Sequence, residues 1–264
     1  MARMEELVSK LSESPDAEKG DRGRLGIVGG SIEFAGPPAL AGLAALRTGT
    51  DVTKVLTSEV AIEVVAGFSP NLLTNRFTGD VLTEDSVGKV VTLAEWSDAL
   101  VVGPGLESPH PDAVRGILER VAVPTVVDAA AIGPALGGPF EGTVVTPDTA
   151  EVERIETEYS SLDAFARETG AVVVSKGAED VIYAGDERFR NDEGTPSMTV
   201  AGTGDSLAGV VGSLLGEGFD PVDAARLGPW IVGRAGELAD DEYGIGLLAT
   251  DLIERIPAAI RSSR

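Results

Sequence analysis

Short runs of β-branched residues alternate along this chain with longer stretches rich in alanine and leucine. The short runs predict buried strands, at Leu25–Val28, Val52–Leu56, Ala99–Val102, Thr125–Val127, Thr143–Val145 and Val172–Ser175. The longer stretches predict helices, at Ala39–Leu46, Pro111–Val121 and Leu162–Thr169. Beyond Gly204 the pattern predicts mainly helix, with breaks near Gly218, Gly244 and Pro257.

Strands that alternate with helices indicate βαβ units and an α/β fold. The expected architecture is a mostly parallel central sheet with helices on both faces. Val181–Ala184 and Arg188–Arg190, separated by Gly185-Asp186, predict a hairpin. The sequence contains no internal repeat and no linker-like tract. We therefore expect a single domain over residues 1–264, in which residues 1–20 form an N-terminal helix and a loop.

The sequence lacks several residue types on which common catalytic sites depend. It contains no cysteine and a single histidine, His110. Disulfides, thiolate metal sites and cysteine nucleophiles are thereby excluded. A Ser-His-Asp triad or a multi-histidine metal site is strongly disfavoured.

The chain is strongly acidic, with 43 Asp and Glu against 21 Lys and Arg and a net charge of −22. Such a surface repels nucleic acid and anionic lipid, so we expect neither as a partner. An acidic, lysine-poor composition is typical of proteins from a salt-saturated cytoplasm; the alternative is an ordinary acidic protein. Without a signal peptide or a long apolar segment, a cytoplasmic location is expected.

Glycine and polar residues follow five of the predicted strands at the point where each strand ends. These segments are Gly29-Gly30-Ser31, Gly103-Pro104-Gly105, Asp128, Thr146-Pro147-Asp148 and Lys176-Gly177. Each alone is compatible with an ordinary turn. Because the carboxyl ends of parallel strands meet at one edge of a sheet, together they predict an open ligand cleft.

The segment Gly202-Thr203-Gly204-Asp205 precedes a helix of small residues. The first amides of a helix have no intrahelical partners, and glycine allows a phosphate to approach them. Asp205 at the helix start could accept a proton from a hydroxyl beside that phosphate. A simple helix cap is the alternative for Asp205.

This segment resembles the Gly-Thr-Gly-Asp signature of the ribokinase-like superfamily. Further segments resemble one branch, the ADP-dependent NAD(P)H-hydrate dehydratases, from about residue 20 to residue 257. They are Gly20-Asp21-Arg22-Gly23-Arg24, Ile27-Val28-Gly29-Gly30-Ser31, Ala44-Ala45-Leu46-Arg47-Thr48-Gly49, Val102-Gly103-Pro104-Gly105-Leu106, Val127-Asp128-Ala129, Thr146-Pro147 with Glu151, Ser175-Lys176-Gly177-Ala178 and Gly246-Leu247-Leu248-Ala249-Thr250-Asp251-Leu252. The epimerase domain often fused to this domain has no counterpart in the sequence.

The resemblance implies a ribokinase-like three-layer α/β/α fold and a role in cofactor repair. Members use ADP, or ATP in eukaryotes, to phosphorylate the hydroxyl of hydrated NADH or NADPH. Loss of phosphate then restores the reduced nicotinamide ring, and AMP is released. Partners would be NAD(P)H hydrate and ADP, with Mg²⁺ as cofactor, and the protein would be a homo-oligomer such as a tetramer.

The resemblance also implies roles for individual residues. Asp205 would be the catalytic base, and the anion hole would consist of Gly202, Thr203 and Gly204. The nucleotide would contact Gly204 and the turn formed by Lys176, Gly177, Ala178, Glu179 and Asp180. The hydrate would be bound by Pro37, Gly105, Asp148 and Asp205. Glu151 would hold Mg²⁺ through water, although a helix-start glutamate is an equally good reading.

Several positions depart from the family pattern. They are Glu107, Ala130, Asp148, Asp180 and Ala201. Asp148 and Asp180 bring carboxylates to places where polyphosphates are expected, which weakens phosphate binding unless a cation intervenes or the side chain points away. The phosphate turn and Asp205 are intact, so phosphoryl transfer is the better supported half of the interpretation.

Two other functions remain open on the sequence. One is a ribokinase-like kinase of a small alcohol such as a hydroxyethylthiazole or hydroxymethylpyrimidine, which would release a phosphorylated product without elimination. The other is a nucleotide-binding sensor without turnover, for which Asp205 would have no use. The choice between ADP and ATP comes from the family alone.

Overall fold

The computed structural model describes residues 4–11 and 21–262, and its nine strands form one sheet. The strands are β1 (Arg24–Val28), β2 (Val52–Ser58), β3 (Leu72–Phe77), β4 (Ala99–Val102), β5 (Thr125–Val127), β6 (Thr143–Val145), β7 (Val172–Ser175), β8 (Asp180–Ala184) and β9 (Glu187–Asn191). Their order across the sheet is β3-β2-β1-β4-β5-β6-β7-β8-β9. The order reverses between β1 and β4, the point at which open parallel sheets form ligand crevices.

Seven of these strands are parallel, and a hairpin completes the sheet. β1 to β7 pair in parallel, and β8 is antiparallel to both β7 and β9. The predicted hairpin is present, two residues longer at the second strand. All parallel strands therefore deliver their carboxyl ends to one edge.

Eleven helices lie among the described residues. They are α1 (Met4–Lys10), α2 (Gly36–Thr48), α3 (Ile62–Phe68), α4 (Val87–Trp96), α5 (Pro111–Arg120), α6 (Ile132–Ala135), α7 (Thr149–Tyr159), α8 (Leu162–Thr169), α9 (Thr203–Gly216), α10 (Pro221–Tyr243) and α11 (Ala249–Arg261). None of these described helices is long and apolar enough to cross a bilayer. The N-terminal helix predicted within residues 1–20 corresponds to α1, and residues 12–20, where the loop predicted to follow it would lie, are outside the described residues.

The sheet separates two hydrophobic cores because side chains alternate across it with a period of two. In β1, Leu25 and Ile27 pack into one core with α2, α9, α10 and α11, whereas Val28 packs into the other. That second core is closed by α4, α5, α7 and α8. The three-layer α/β/α architecture and the mostly parallel sheet are confirmed.

The prediction of a helix break near Pro257 is wrong. α11 continues through Pro257 to Arg261. The buried residues Leu252, Ile253, Ile256 and Ile260 line one face of this helix. We attribute the continuity to their burial, which outweighs the single backbone hydrogen bond that proline removes.

Candidate active site

The carboxyl edge of the sheet brings together residues that are distant in sequence. Asp128 follows β5, Thr146 follows β6 and Lys176 lies directly after β7. Backbone bonds continue past the strand ends, from Asp128 N to Val102 O at 3.0 Å and from Thr146 N to Val127 O at 3.2 Å. The polar side chains consequently start from a rigid edge.

The N-terminus of α9 faces this edge and begins at a glycine that no other residue could replace without strain. Gly202 has a φ of +98°, and a Cβ there would lie 2.5 Å from Leu40 Cδ1. The first intrahelical bond runs from Ser206 N to Gly202 O at 3.0 Å. The amides of Thr203 and Gly204 precede that bond, so they present donors to an anion, whereas the Asp205 amide bonds its own carboxylate.

Lys176 extends its ammonium to the same helix start. A Cβ at Gly204 would lie 3.3 Å from Lys176 Nζ. The ammonium donates to Asp128 Oδ1 at 3.0 Å. A cation therefore lies beside the free amides of α9, the combination that a phosphoryl group requires.

Asp205 is the carboxylate whose proton affinity is most altered. Burial first, and then the negative charge of Asp128, raise its pKa to about 7, against the opposing influence of Lys176. A base that titrates near neutrality is well matched to removing a proton from a hydroxyl at cellular pH. Its place in the first turn of α9 puts it next to the candidate phosphate site.

Two neighbouring groups are also shifted. Burial alone would lower the pKa of Lys176, but Asp128 and Glu151 together with Asp148 raise it, so the ammonium stays charged. Burial raises the pKa of Glu151, partly offset by the backbone amide of Asp148 and by Lys176. The site thus holds several carboxylates around one lysine.

The turn after Lys176 is closed by one of the residues that depart from the family pattern. Asp180 accepts from Gly177 N at 3.1 Å and from Asn191 Nδ2 at 3.1 Å. Glu179 in the same turn forms an ion pair with Arg190. The Asp180 carboxylate is therefore engaged in holding the turn, which reduces the repulsion that it would exert on a polyphosphate.

The predicted hydrate-binding residues Pro37 and Gly105 lie against each other. Pro37 opens α2, and a Cβ at Gly105 would lie 3.2 Å from Pro37 Cβ. Leu40, one turn further along α2, touches Gly202 at the start of α9. The N-termini of α2 and α9 are therefore adjacent, which brings the two sets of predicted residues to the same part of the molecule.

Asp148 lies on the Lys176 side of the cleft, where it caps α7. Its Oδ1 accepts from Glu151 N at 2.9 Å, and Glu151 Oε2 accepts from Asp148 N at 2.8 Å. This reciprocal capping box satisfies two amides of the first turn. Capping accounts for the acidic residues at both positions, independently of any ligand.

Asp128 and Thr146 belong to the site; the sequence predicted both at the edge that forms the cleft, but gave neither a specific role. Thr146 Oγ1 donates to Asp128 Oδ1 at 2.7 Å. The available signal was the position of an aspartate directly after a buried strand. What the sequence could not give is the pairing of Asp128 with a lysine 48 residues away.

Mg²⁺ would have to rely on ligands beyond the protein. Among the described residues, no cluster of three His, Cys, Asp or Glu side chains could hold a metal. Glu151 uses Oε2 in the capping box, and Asp128 is engaged with Lys176 and Thr146. This donor set fits only a magnesium ion bound mainly by water and phosphate oxygens, the arrangement that Mg²⁺ favours.

Comparison with known families places this geometry in context. The model of the NAD(P)H-hydrate dehydratase family matches residues 25–258. An ADP-dependent (S)-NAD(P)H-hydrate dehydratase from Natrialba magadii is 51% identical over 99% of this chain and 100% of its own length. One of the same description from Haloterrigena turkmenica is 49% identical over the same shares of the two chains. Both organisms are halophilic archaea, in agreement with the acidic composition.

A solved structure agrees with these relatives. The ADP/ATP-dependent NAD(P)H-hydrate dehydratase from Bacillus subtilis, co-crystallised with ATP and Mg²⁺, superposes with a TM-score of 0.81 at 25% identity. The alignment covers 99% of this chain and 98% of that one. The similarity therefore extends over the whole sheet and the cleft at its edge.

Proposed function

The chain belongs to the NAD(P)H-hydrate dehydratase family, and we propose that it restores NADH and NADPH from their hydrates with ADP as phosphoryl donor. The observation that carries the chemistry is Asp205, half-buried at the start of α9 beside Asp128 and Lys176, with a pKa of about 7. Beside it lie the first amides of α9 and the Lys176 ammonium. A base, an anion site and a cation together are what phosphoryl transfer to a hydroxyl requires.

The reaction consists of two steps, phosphoryl transfer and elimination of phosphate. Asp205 takes the proton of the hydrate hydroxyl, whose oxygen attacks the β-phosphorus of ADP, and the bond to the AMP oxygen breaks. The ring carbon–oxygen bond then breaks with phosphate as leaving group, and the neighbouring carbon releases a proton as the double bond forms. Phosphorylation is needed because hydroxide is a poor leaving group and phosphate a good one.

The remaining roles follow from the positions of the residues. The amides at Gly202, Thr203 and Gly204 would stabilise charge on the transferred phosphoryl group. The turn Lys176–Asp180, with Gly204, would bind the nucleotide, supported by the rigid closure of that turn through Asp180. Pro37, Gly105, Asp148 and Asp205 would contact the hydrate.

We include Mg²⁺ in the proposal as an ion held by phosphate oxygens and by water bridged to Glu151. When bound, it would neutralise charge on the phosphates. The partly buried Glu151 carboxylate uses Oε2 in the capping box, which leaves Oε1 for such a water-mediated contact. Removing divalent metal with EDTA is expected to abolish turnover, and adding Mg²⁺ back to restore it.

The test is a turnover assay on enzymatically prepared NADH hydrate in molar KCl with Mg²⁺ and either ADP or ATP. Recovery of NADH absorbance is expected with ADP, and Asp205→Asn is expected to reduce the rate by at least about 100-fold. Asp186→Asn, at the exposed tip of the hairpin, is the matched control and should keep the rate. No recovery with either nucleotide, from protein shown to be folded and to bind nucleotide, would overturn the dehydratase and direct the search to small alcohol substrates of a kinase.

We further propose that the protein is a cytoplasmic homo-oligomer. Large apolar side chains are exposed on α3 and the adjoining edge strand β3, among them Val64, Phe68 and Leu73. Patches of this kind commonly mark contacts between subunits. Size-exclusion chromatography with light scattering in molar KCl should give a mass above 27.2 kDa.

A further inference from the structure

Asp128 is a buried carboxylate that the reaction described above does not use. It is 1% exposed, at the end of β5. One oxygen, Oδ1, accepts both the Lys176 ammonium at 3.0 Å and the Thr146 hydroxyl at 2.7 Å. Burying a charge this deeply is costly unless it is paired. We therefore infer that Asp128 has a function in the site.

The backbone around Asp128 is held in an unusual conformation. Ala129, directly after it, has a φ of +49°, a left-handed conformation that is unfavourable for a non-glycine residue. Gly103 has a φ of +132°, and a Cβ there would overlap the Asp128 carbonyl oxygen. Strain of this kind persists where the surrounding structure fixes a functional position.

Lys176 is restrained at both ends. Its backbone N donates to Pro147 O at 3.1 Å, and its ammonium is held by Asp128 while lying beside Gly204. The side chain keeps 21% of its surface exposed, and its ammonium lies beside the start of α9. An ammonium has three donors, and the bond to Asp128 occupies one of them.

Other carboxylates compete for this lysine. Glu151 and Asp148 contribute to its proton affinity, and Lys176 in turn acts on Asp180 and Asp205. An ammonium on a flexible stem would distribute itself among such neighbours. The fixed Asp128 oxygen selects one position, the position beside the free amides of α9.

We propose that Asp128 is a positioning residue that holds the Lys176 ammonium where it meets the β-phosphoryl group of ADP, with Thr146 orienting the carboxylate. This inference rests on the proposed function, since it names how the same site presents its cation. If Asp128 acts in this way, ADP binding depends on where the Asp128 oxygen lies and not on its negative charge alone.

Two substitutions separate position from charge. Asp128→Asn keeps Oδ1 in place and removes the charge, whereas Asp128→Glu keeps the charge and moves the oxygen. The readout is the ratio of ADP to AMP affinity by calorimetry, because only ADP carries the β-phosphate. Asp128→Glu is expected to lower this ratio about tenfold and Asp128→Asn by no more than about threefold. A larger effect of Asp128→Asn, or a ratio unchanged in Asp128→Glu, would overturn the proposal.

Dependence on Lys176 is tested by repeating Asp128→Glu in a Lys176→Met background. If Asp128 acts through the lysine, the substitution has no further effect on the affinity ratio there; an equal loss in both backgrounds would contradict this. Thr146→Val preserves every charge and is the second variant if the Glu side chain prevents folding. It is expected to lower the ratio in the same direction by about threefold, and no change would count against the proposal.

Turnover assays distinguish failure of the positioning role of Asp128 from failure of the proposed dehydratase function. If the wild type fails to restore NADH but binds ADP in preference to AMP, the affinity ratios still decide the role of Asp128. If the wild type restores NADH, Asp128→Glu should lower kcat about tenfold or more while the KM for the hydrate stays within about twofold. An unchanged kcat in that variant would overturn the positioning role alone.

Discussion

At the scale of single residues, Asp205 combines burial with a carboxylate neighbour in a way that sets its working pH. As a base it acts only when ionised, and its pKa of about 7 predicts that kcat/KM rises with pH through that value and levels off above it. The measurement is the initial rate at subsaturating hydrate between pH 5 and 9 in molar KCl. A rate that is already level from pH 5 upwards would contradict Asp205 as the base.

The raised pKa of Asp205 also affects the stability of the fold. An aspartate in an ion pair stabilises the fold more as pH rises, whereas Asp205 does the opposite. Asp205 binds its proton more tightly in the folded than in the unfolded chain, so ionising it lowers the free energy of unfolding as pH rises from about 4 to about 7. Asp205→Asn cannot ionise, so it should be more stable than the wild type at pH 8.

Thermal unfolding at two pH values measures this difference. The Tm advantage of Asp205→Asn should be a few °C at pH 8 and clearly smaller at pH 5, since about 1 kcal/mol corresponds to 2–4 °C for a chain of this size. Asp186→Asn removes an exposed carboxylate whose surface ion pair with Arg167 contributes little, so it should show no comparable gain. Equal Tm values for Asp205→Asn and the wild type at pH 8 would contradict the view that burial makes ionisation of Asp205 unfavourable.

Not every residue of the site was accessible from the sequence. Asp205 and the glycines before it stand out as a contiguous segment at a helix start. Asp128 was visible only as a residue after a strand, because its partner Lys176 is brought to it by the order of strands across the sheet. Asp148 was expected at the hydrate, and its capping of α7 emerges only from the geometry.

At the scale of elements, α9 determines how closely the anion site approaches the sheet. Gly209 lets the helix touch α2, because a Cβ there would overlap the Ala41 carbonyl oxygen. Gly212 similarly allows contact with Val101 and Leu25 beneath it. Small residues on α9 are therefore a packing requirement that also fixes the position of Asp205.

We expect Gly209→Ala to separate α2 from α9 and lower stability by about 1–3 kcal/mol, the usual range for overpacking. Gly88→Ala in α4 is the matched control, since a Cβ there meets nothing within 4 Å. That control should be neutral or up to about 1 kcal/mol more stable. Urea unfolding of both variants measures the difference, and similar midpoints would show that the close contact is not required.

The elements themselves were predictable where burial was strong and continuous. The strands of the sheet centre appear as short apolar runs because both of their faces are buried. The edge strand β3, Leu72–Phe77, was missed because three of its six residues are exposed and the polar run Thr74-Asn75-Arg76 interrupts its apolar pattern. Helices α3, α4 and α7 were not assigned either, and α11 passes through Pro257, whose neighbours are buried on one face.

At the scale of the whole molecule, net charge becomes the dominant electrostatic quantity. The chain carries −22, and its ion pairs lie mostly at exposed positions, where each contributes little. Repulsion among the remaining carboxylates favours expansion, and it is reduced when salt shortens the Debye length from about 10 Å at 0.1 M to about 3 Å at 1 M. Salt should therefore act on the protein as a general stabiliser.

Thermal unfolding followed by circular dichroism should give a Tm that rises steeply between 0.1 and 1 M KCl and more slowly beyond. Sucrose added at low salt is the control for non-electrostatic stabilisation and should not reproduce that curve.

A triple variant with Glu95, Glu119 and Glu168 each changed to Lys tests the net charge directly, because these exposed substitutions change it from −22 to −16. The Tm of the triple variant should be higher than that of the wild type at 0.1 M KCl, where the carboxylates repel one another. At 2 M KCl the two Tm values should be nearly equal, because salt then screens the repulsion that the substitutions relieve. A salt dependence identical in the two proteins would show that specific ion binding, and not net charge, stabilises the fold.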